Sequence, residues 1–182
     1  MIIGKQIRFR AIEKDDLQYF VKWLNDPEVR QGLSMIMPLS LAEEENWFEE
    51  LLKKPQYEKP LAIEIQPDPQ VDEWIFVGNC GLFGIDWQNR YAEIGIHIGE
   101  KGYWNQGFGT KAIRLILKHG FDNLNLHRLW LRVFENNTRA IRSYEKAGFT
   151  NEGKFRQAQY LDGKYMDVMI MSMLKPEWQD HQ

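Results

Sequence analysis

A glycine-rich stretch, residues 102–112, is the first place in this 182-residue chain where residue types and spacing suggest chemistry. It reads Gly-Tyr-Trp-Asn-Gln-Gly-Phe-Gly-Thr-Lys-Ala, follows a strand-like run at residues 91–98 and opens a helix-like run at residues 112–121. Glycine lets the backbone turn sharply and approach a ligand closely. The free amides at a helix N-terminus, with the positive end of the helix dipole, then favour an anion. The stretch therefore predicts a phosphate-binding loop.

Several phosphate-binding patterns compete for this loop. A Walker loop requires Gly-Lys-Ser/Thr after its spacer. Gly102 and Gly107 have that spacing, but Phe108 stands at the lysine position, which excludes this class. The dinucleotide fingerprint G-x-G-x-x-G/A is matched by Gly107, Gly109 and Ala112. An ordinary glycine-rich turn is a further alternative, and the loop alone does not decide.

The composition describes an ordinary globular protein. A length of 182 residues with 43% hydrophobic and 27% charged residues suits one domain spanning residues 1–182. The net charge of -3 gives no basic field for nucleic acid. The single cysteine suits a reducing compartment. No apolar run reaches about 18 residues and the N-terminus does not resemble a signal peptide, so we expect a cytoplasmic protein without a membrane partner.

The rest of the sequence predicts the elements that hold the loop in place. Alternating or apolar runs predict strands, and stripes at helical spacing with capping residues predict helices. The predicted strands are 6–10, 61–65, 74–85, 91–98 and 129–133, with a further strand from Phe149 and a hairpin turn at Asp162-Gly163; the predicted helices begin at Asp15, Ser40, Ala112 and Asn137. This order predicts a mixed α/β sheet, antiparallel at first, with one parallel crossover around the loop helix.

Residues 137–149 carry a more specific pattern. They resemble the signature N-x-x-A-x-x-x-Y-x-K-x-G-F of the GNAT N-acetyltransferases, and they follow the glycine loop at the expected distance with a strand between. The loop itself resembles the family pattern Q/R-x-x-G-x-G/A, except that Trp104 stands at the Gln/Arg position. Residues 121–127 resemble the bacterial branch that contains polyamine, amino-sugar and ribosomal-protein alanine acetyltransferases.

The resemblance implies a GNAT-like sheet, mostly antiparallel, that splays open between its central strands to admit acetyl-CoA. It implies that the pantetheine arm pairs with β-strand backbone at Ile96, His97 and Ile98, and that Asn137 and Lys146 lie near this arm. It assigns the pyrophosphate to the loop residues Trp104, Asn105, Gln106, Gly107, Phe108, Gly109 and Thr110. No short metal-ligand spacing of His or Cys occurs, so we expect no metal.

The implied reaction requires a base and an acid. An alkyl amine has a pKa near that of lysine, about 10.4, and must lose a proton before it attacks the thioester. Tyr144 matches the family's acid tyrosine, which would protonate the leaving thiolate; as an aromatic on an amphipathic helix it would otherwise be core. Tyr144 lies seven residues after the Asn137 cap, which places both on one helix face.

Glu93 is the candidate base. Strand alternation puts Glu93, Gly95 and His97 on one face of their strand, and three isoleucines on the other. A surface glutamate on a sheet face is the competing interpretation. His97 is a weaker candidate for a proton relay. Three further weak candidates are Asp86, His127 and Cys80, the last of these more simply a buried thiol.

Other classes stay open at this point. A non-catalytic acyl-CoA module would share the fold, and a dinucleotide-binding oxidoreductase rests only on the glycine fingerprint. The sequence leaves the acceptor open among a polyamine, an amino sugar, a protein N-terminus and a drug amine, and a homodimer is an open alternative to a monomer. The acidic run from Glu43 to Glu50 is either a solvated helix face or a surface that attracts a polycation.

Overall fold

A computed structural model describes residues 1–33, 37–161 and 163–180 of the chain. Its strands form one eight-stranded sheet in the order β1-β2-β3-β4-β5-β6-β8-β7. The strands are β1 (Ile2–Gly4), β2 (Ile7–Ala11), β3 (Leu61–Ile65), β4 (Ile75–Asp86), β5 (Tyr91–Ile98), β6 (Arg128–Phe134), β7 (Thr150–Leu161) and β8 (Lys164–Leu174). The α-helices are α1 (Leu17–Leu24), α2 (Pro27–Arg30), α3 (Leu41–Lys53), α4 (Phe108–Lys118), α5 (Thr138–Ala147) and α6 (Lys175–Asp180).

The sheet is antiparallel except where β5 meets β6, and there it opens. These two strands pair in parallel only at Tyr91 with Arg128, Ala92 with Leu129 and Glu93 with Trp130. Both strands continue, β5 to Ile98 and β6 to Phe134. Beyond Glu93 the facing edges diverge, which confirms the predicted mixed sheet with a splayed central pair.

The two sides of the sheet bury different hydrophobic clusters. On one side α4 and α5 pack against strand residues that include Leu129 and Leu131, both almost fully buried. On the other side α1 and α3 cover β2 to β4 through an aromatic group formed by Phe20, Trp23 and Phe76. The site lies where these helices and the splayed strands meet.

The helices that face the splay begin and end as their sequences dictate. The Ser40 hydroxyl accepts from the Glu43 amide at 3.2 Å, and the Glu43 carboxylate accepts from the Ser40 amide at 2.8 Å, which completes the predicted capping box of α3. The Asn137 side chain caps α5 by accepting from the Ala140 amide at 3.2 Å. Helix α5 ends at Gly148, whose φ of 103° is the left-handed conformation that glycine tolerates.

Several details differ from the sequence prediction. Strand β1, the short helix α2 and the terminal helix α6 were not predicted, because each is only three to six residues long. Helical spacing in the sequence predicts an apolar stripe of Leu41, Phe48, Leu51 and Leu52 on α3, and this is partly wrong, since Leu41 and Leu52 are about half exposed. The predicted Asp162-Gly163 turn includes a residue outside the described ones. Of the helices in the described part of the chain, none has the length and apolar character needed to cross a membrane.

Candidate active site

A cavity of about 1320 Å³ occupies the opening between β5 and β6. One part of it is bounded by the glycine loop, the edge of β5 and the first turns of α5. We call this part the cofactor half. The other part is bounded by α1, α3 and, between them, Val29, Gly32, Leu33 and Leu39, together with Glu93 and Arg132. We call this part the acceptor half. The cavity therefore lies in the gap between β5 and β6, and a ligand in it would face strand edges that have no neighbouring strand.

The glycine loop turns directly into α4. Gly107 is the N-cap residue, with a φ of 84°, and a Cβ added there would meet no atom within 4 Å. The first hydrogen bond of α4 runs from the Lys111 amide to the Gly107 carbonyl at 3.0 Å. The amides of Phe108, Gly109 and Thr110 precede this bond and are left for an anion. The Phe108 side chain itself is buried in the core, so the loop offers backbone rather than side chain here.

The loop is held by its own polar contacts. The Gln106 side-chain amide donates to the Gly102 carbonyl at 2.7 Å. Asn105 has a positive φ of 62°, which an asparagine tolerates. The Gln106 side chain and the Asn105 backbone therefore shape the turn, and the groups of the loop that are left for a ligand are main-chain amides.

Trp104, the departure from the family pattern, faces the core. Its indole N–H donates to the Ile98 carbonyl at 2.8 Å, and its ring packs beside the cluster under α1. The outer face of the ring carries the Arg139 guanidinium, whose Cζ lies 3.4 Å from the ring centroid. Trp104 thus joins the end of β5 to the start of α5 across the loop.

The predicted pantetheine strand is paired on one side only. Ile96, His97 and Ile98 pair with β4, and their other edge faces the opening. The His97 ring lies 6.1 Å from the Trp23 ring, and its buried Nε2 has no partner in the described structure. Burial lowers the pKa of His97 to about 4. This imidazole is therefore neutral near pH 7 and a weak base, which argues against the relay role considered for it.

Helix α5 brings Asn137, Tyr144 and Lys146 to the cavity wall. The Tyr144 side chain is only 7% exposed and packs against Phe149, with the ring centroids 5.9 Å apart. Burial raises the pKa of Tyr144 to about 12, so its hydroxyl keeps its proton at neutral pH. A protonated phenol at the end of the cavity is able to donate a hydrogen bond.

Glu93 stands at the last paired position of β5, where the splay begins. The Arg132 guanidinium, from β6, holds both of its carboxylate oxygens, with Nε–Oε1 at 2.7 Å and Nη2–Oε2 at 3.1 Å. Arg132 was not among the residues predicted for the site. The alternation of β6 could have indicated it, because this places Arg132 on the same face as Glu93 while Leu131 and Val133 are buried.

The acceptor half contains a second residue that the sequence analysis did not single out. Glu44 is 6% exposed and lines the cavity, on the same face of α3 as the buried Phe48 and Leu51. Burial alone raises the pKa of Glu44, and among the described residues no cation pairs with it. The spacing of residues 44, 48 and 51 could have indicated Glu44, because it places this one acid of the run from Glu43 to Glu50 on the buried face of the helix.

Ion pairs connect the helices of the acceptor half to the glycine loop. The Lys101 ammonium contacts Asp26 at 2.7 Å and Glu28 at 3.0 Å. The Glu100 carboxylate accepts from the Trp23 indole at 3.4 Å. The segment before the loop is thus attached to α1 and α2.

The weaker candidates do not join the site. Asp86 is the last residue of β4, and its carboxylate accepts from the backbone and side-chain amides of Asn89. His127 is exposed beyond the other end of β6. Burial raises the pKa of the Cys80 thiol, which makes it inert as a nucleophile although it borders the cavity. A search of the described residues finds no group of three His, Cys, Asp or Glu side chains able to hold a metal.

Known proteins share this architecture over its whole length. The acetyltransferase (GNAT) domain model matches residues 6–150. The chain is 29% identical to the uncharacterized N-acetyltransferase p20 of Bacillus licheniformis, with 96% of each covered, and 28% identical to the spermidine N(1)-acetyltransferase of Vibrio cholerae, with 97% of each covered. It superimposes on the crystal structure of the Vibrio cholerae spermidine N-acetyltransferase in complex with CoA and spermine with a TM-score of 0.85, at 26% identity over 97% of this chain and 99% of that chain.

The match covers both halves of the cavity, and it excludes the dinucleotide-binding oxidoreductase that the glycine fingerprint had left open. Acetyl-CoA is accordingly the cosubstrate. This chain belongs to the GNAT family of acetyltransferases and is an N-acetyltransferase.

Proposed function

We propose that the enzyme acetylates a primary amine of a polyamine by direct attack on acetyl-CoA, with Glu93 as the base and Tyr144 as the acid. The observation that carries the acceptor class is Glu44, a buried carboxylate without a cation in the described structure. An isolated buried charge is costly unless it is paired. A ligand that brings its own ammonium group would supply the missing partner.

The three carboxylates of the acceptor half have different tasks. Glu43 is engaged in the capping box of α3, and Glu93 is held by Arg132. Glu44 is therefore the acid left for a second ammonium group of the acceptor. The apolar and aromatic walls around it, Phe20, Leu24 and Trp47, suit the methylene segments between the nitrogens of a polyamine.

Glu93 is suited to remove the proton of the reacting amine. A carboxylate has about four acceptor positions. The bidentate contact with Arg132 uses two of them and fixes the side chain. The remaining positions face the cavity, where they accept the proton directly or through a water molecule.

Tyr144 is suited to protonate the thiolate of CoA. It lies at the cofactor half, on the opposite side of the splay from the helices that bind the acceptor. Its raised pKa keeps it protonated, so it is a donor throughout the pH range in which amines begin to lose their protons.

Acetyl-CoA consumption measured with spermidine, a nucleotide-linked amino sugar and a peptide with a free N-terminal alanine tests the acceptor class. We expect spermidine to give the highest kcat/KM. Glu44→Gln should raise the KM for spermidine about tenfold, the effect of one charge-assisted contact at roughly 1.5 kcal/mol. A higher kcat/KM with the amino sugar or the peptide would overturn the polyamine assignment.

The matched control is Glu49→Gln. Glu49 lies on the exposed face of the same helix, so the variant removes the same charge without touching the cavity. An equal rise in KM for both variants would mean that the helix acts through a general field and that Glu44 is not a subsite.

For the base, Glu93→Gln should lower kcat about 10²-fold or more near neutral pH, and less at high pH, where free amine forms unaided. The comparison variant is Arg132→Gln, which keeps the Glu93 carboxylate and removes the guanidinium that holds it, and its kcat is measured over the same pH range. A Glu93→Gln enzyme that matches the parent at every pH would remove Glu93 from the mechanism.

A further inference from the structure

We infer that Arg139, stacked on Trp104, binds the pyrophosphate of acetyl-CoA and provides the polar side-chain contact that is missing at the Gln/Arg position of the glycine loop, where this chain has Trp104. The family resemblance places a Gln or Arg side chain at the start of the loop, and this chain has an indole there. The inference depends on acetyl-CoA as cosubstrate and is independent of the acceptor class.

The position of Arg139 follows from three contacts. Its Cζ lies 3.4 Å from the centroid of the Trp104 ring, three residues before Gly107. One helical turn further along α5, the Ser143 hydroxyl donates to the Arg139 carbonyl at 3.2 Å. A Cβ at Gly109 would lie 3.8 Å from that same hydroxyl oxygen. The second turn of α5 therefore lies against the first turn of α4, and Arg139, one turn earlier on α5, lines the cavity together with Gly107 and Gly109.

In the described part of the chain, the Arg139 guanidinium has an aromatic partner, Trp104, but no ion-pair partner. Burial against the indole lowers the pKa of Arg139, although a guanidinium stays charged at neutral pH. No carboxylate among the described residues forms an ion pair with it. Glu28 acts on it through space, but the Glu28 carboxylate pairs with Lys101 at 3.0 Å. The donors of Arg139 are therefore left for an anion in the cofactor half.

The chemistry of the stacked pair suits a phosphate rather than the thioester end. A guanidinium that lies on an aromatic ring presents its N–H groups at the edges of its plane, which is the geometry for two phosphate oxygens. Stacking also orients the side chain before the ligand arrives, so less rotamer freedom is lost on binding. Trp104 is thus a positioning residue, and Arg139 is the group that touches the cofactor.

The test is the affinity for acetyl-CoA of Arg139→Gln, measured by calorimetry on the full chain. We expect Kd to rise about 10- to 100-fold, the effect of losing a charge-assisted contact. The control is Lys118→Gln, which removes one positive charge from an exposed site at the far end of α4. Equal losses in both variants, or no loss in Arg139→Gln, would overturn the inference.

Truncated cofactors identify the phosphate. The quantity compared is the ratio of the Kd of Arg139→Gln to the Kd of the parent. With 3′-dephospho-acetyl-CoA, which keeps the pyrophosphate, this ratio should be the same as with acetyl-CoA, and with acetylpantetheine, which lacks all phosphates, it should fall to about one. A ratio of about one already with the 3′-dephospho compound would reassign Arg139 to the 3′-phosphate and overturn the pyrophosphate contact.

A double-mutant cycle tests the positioning role of the indole. Trp104→Leu should weaken acetyl-CoA binding in the parent and have little further effect in the Arg139→Gln background. Additive losses would mean that the indole acts independently of Arg139. Because Trp104 also packs on the core, the melting temperature of Trp104→Leu is first compared with that of the parent. If Trp104→Leu does not fold, it is replaced by Arg139→Lys, which keeps the charge but not the planar stack.

Discussion

The two halves of the cavity are built from different parts of the chain. The cofactor half is made largely of main chain, namely the amides after Gly107 and the open edge of β5. The acceptor half is made of side chains from α1 and α3, with Glu44 as the unpaired charge. Main-chain recognition requires glycine and capping residues at fixed spacing, and it therefore leaves a motif in the sequence. Side-chain recognition requires only that some residue reach the cavity, and it leaves none.

The largest expected effect lies in the cofactor half. Tyr144→Phe removes one hydroxyl and little volume, so the cofactor half keeps its shape. We expect kcat to fall about 10²- to 10⁴-fold, the usual contribution of an acid or base group. The Kd for acetyl-CoA, measured by calorimetry, should stay within about twofold. An unchanged kcat would show that water or another group protonates the thiolate.

A substitution in the loop tests whether the cofactor half depends on main chain. Gly109→Val places a side chain at the amides, and among the described residues its Cβ would have only the Ser143 hydroxyl oxygen within 4 Å, at 3.8 Å. We expect acetyl-CoA to bind about 10- to 100-fold more weakly because one or two charge-assisted contacts are lost. Equal affinity in the variant and the parent would place the phosphate elsewhere.

Gly107→Val is the comparison for this experiment. Its φ of 84° strains any residue with a Cβ, so this variant should also lose about 1 to 2 kcal/mol of stability, whereas Gly109→Val should not. Chemical denaturation of both variants separates backbone strain from ligand contact.

The smallest effect is expected in the acceptor half and appears in stability. Burial raises the folded pKa of Glu44 above its unfolded value of about 4.3, so the parent is most stable below that value and loses stability as pH rises through the folded pKa. Glu44→Gln does not have this loss. At pH 7 without ligand we expect its melting temperature to be about 2 to 4 °C higher, which corresponds to roughly 1 kcal/mol.

The difference between Glu44→Gln and the parent should disappear near pH 4, where both side chains are neutral. Melting curves from pH 4 to pH 8 provide the measurement. A variant that is less stable than the parent at pH 7 would mean that the carboxylate is already satisfied in the free enzyme.

The difference between main-chain and side-chain recognition also explains which features could be predicted from the sequence. The loop, the cap at Asn137 and the strand order around the crossover follow from local rules of spacing and capping, and they predicted the mixed α/β fold class that the structure confirms. The splay was implied by resemblance and confirmed by the three-residue pairing of β5 with β6.

What the sequence could not give depends on contacts between distant residues. Arg132 reaches Glu93 across 39 positions, and the orientation of Trp104 depends on packing against α1. Glu44 could be singled out only once the buried face of α3 was known. The positions of Leu41 and Leu52 in the sequence suggested a different buried face, because both leucines are in fact about half exposed. The base, the acid and the acceptor remain proposals that the variants above test.

The incomplete ladder between β5 and β6 also has a consequence for how long the protein survives. A cosubstrate that fills the opening binds the folded chain and not the unfolded one, so it stabilises the fold by mass action. At a concentration 100 times its Kd, acetyl-CoA would add about 2.7 kcal/mol to the free energy of unfolding. We therefore expect proteolytic resistance and amide protection of residues 94–98 to rise with acetyl-CoA, so that the enzyme is most durable when the cell has acetyl groups to transfer.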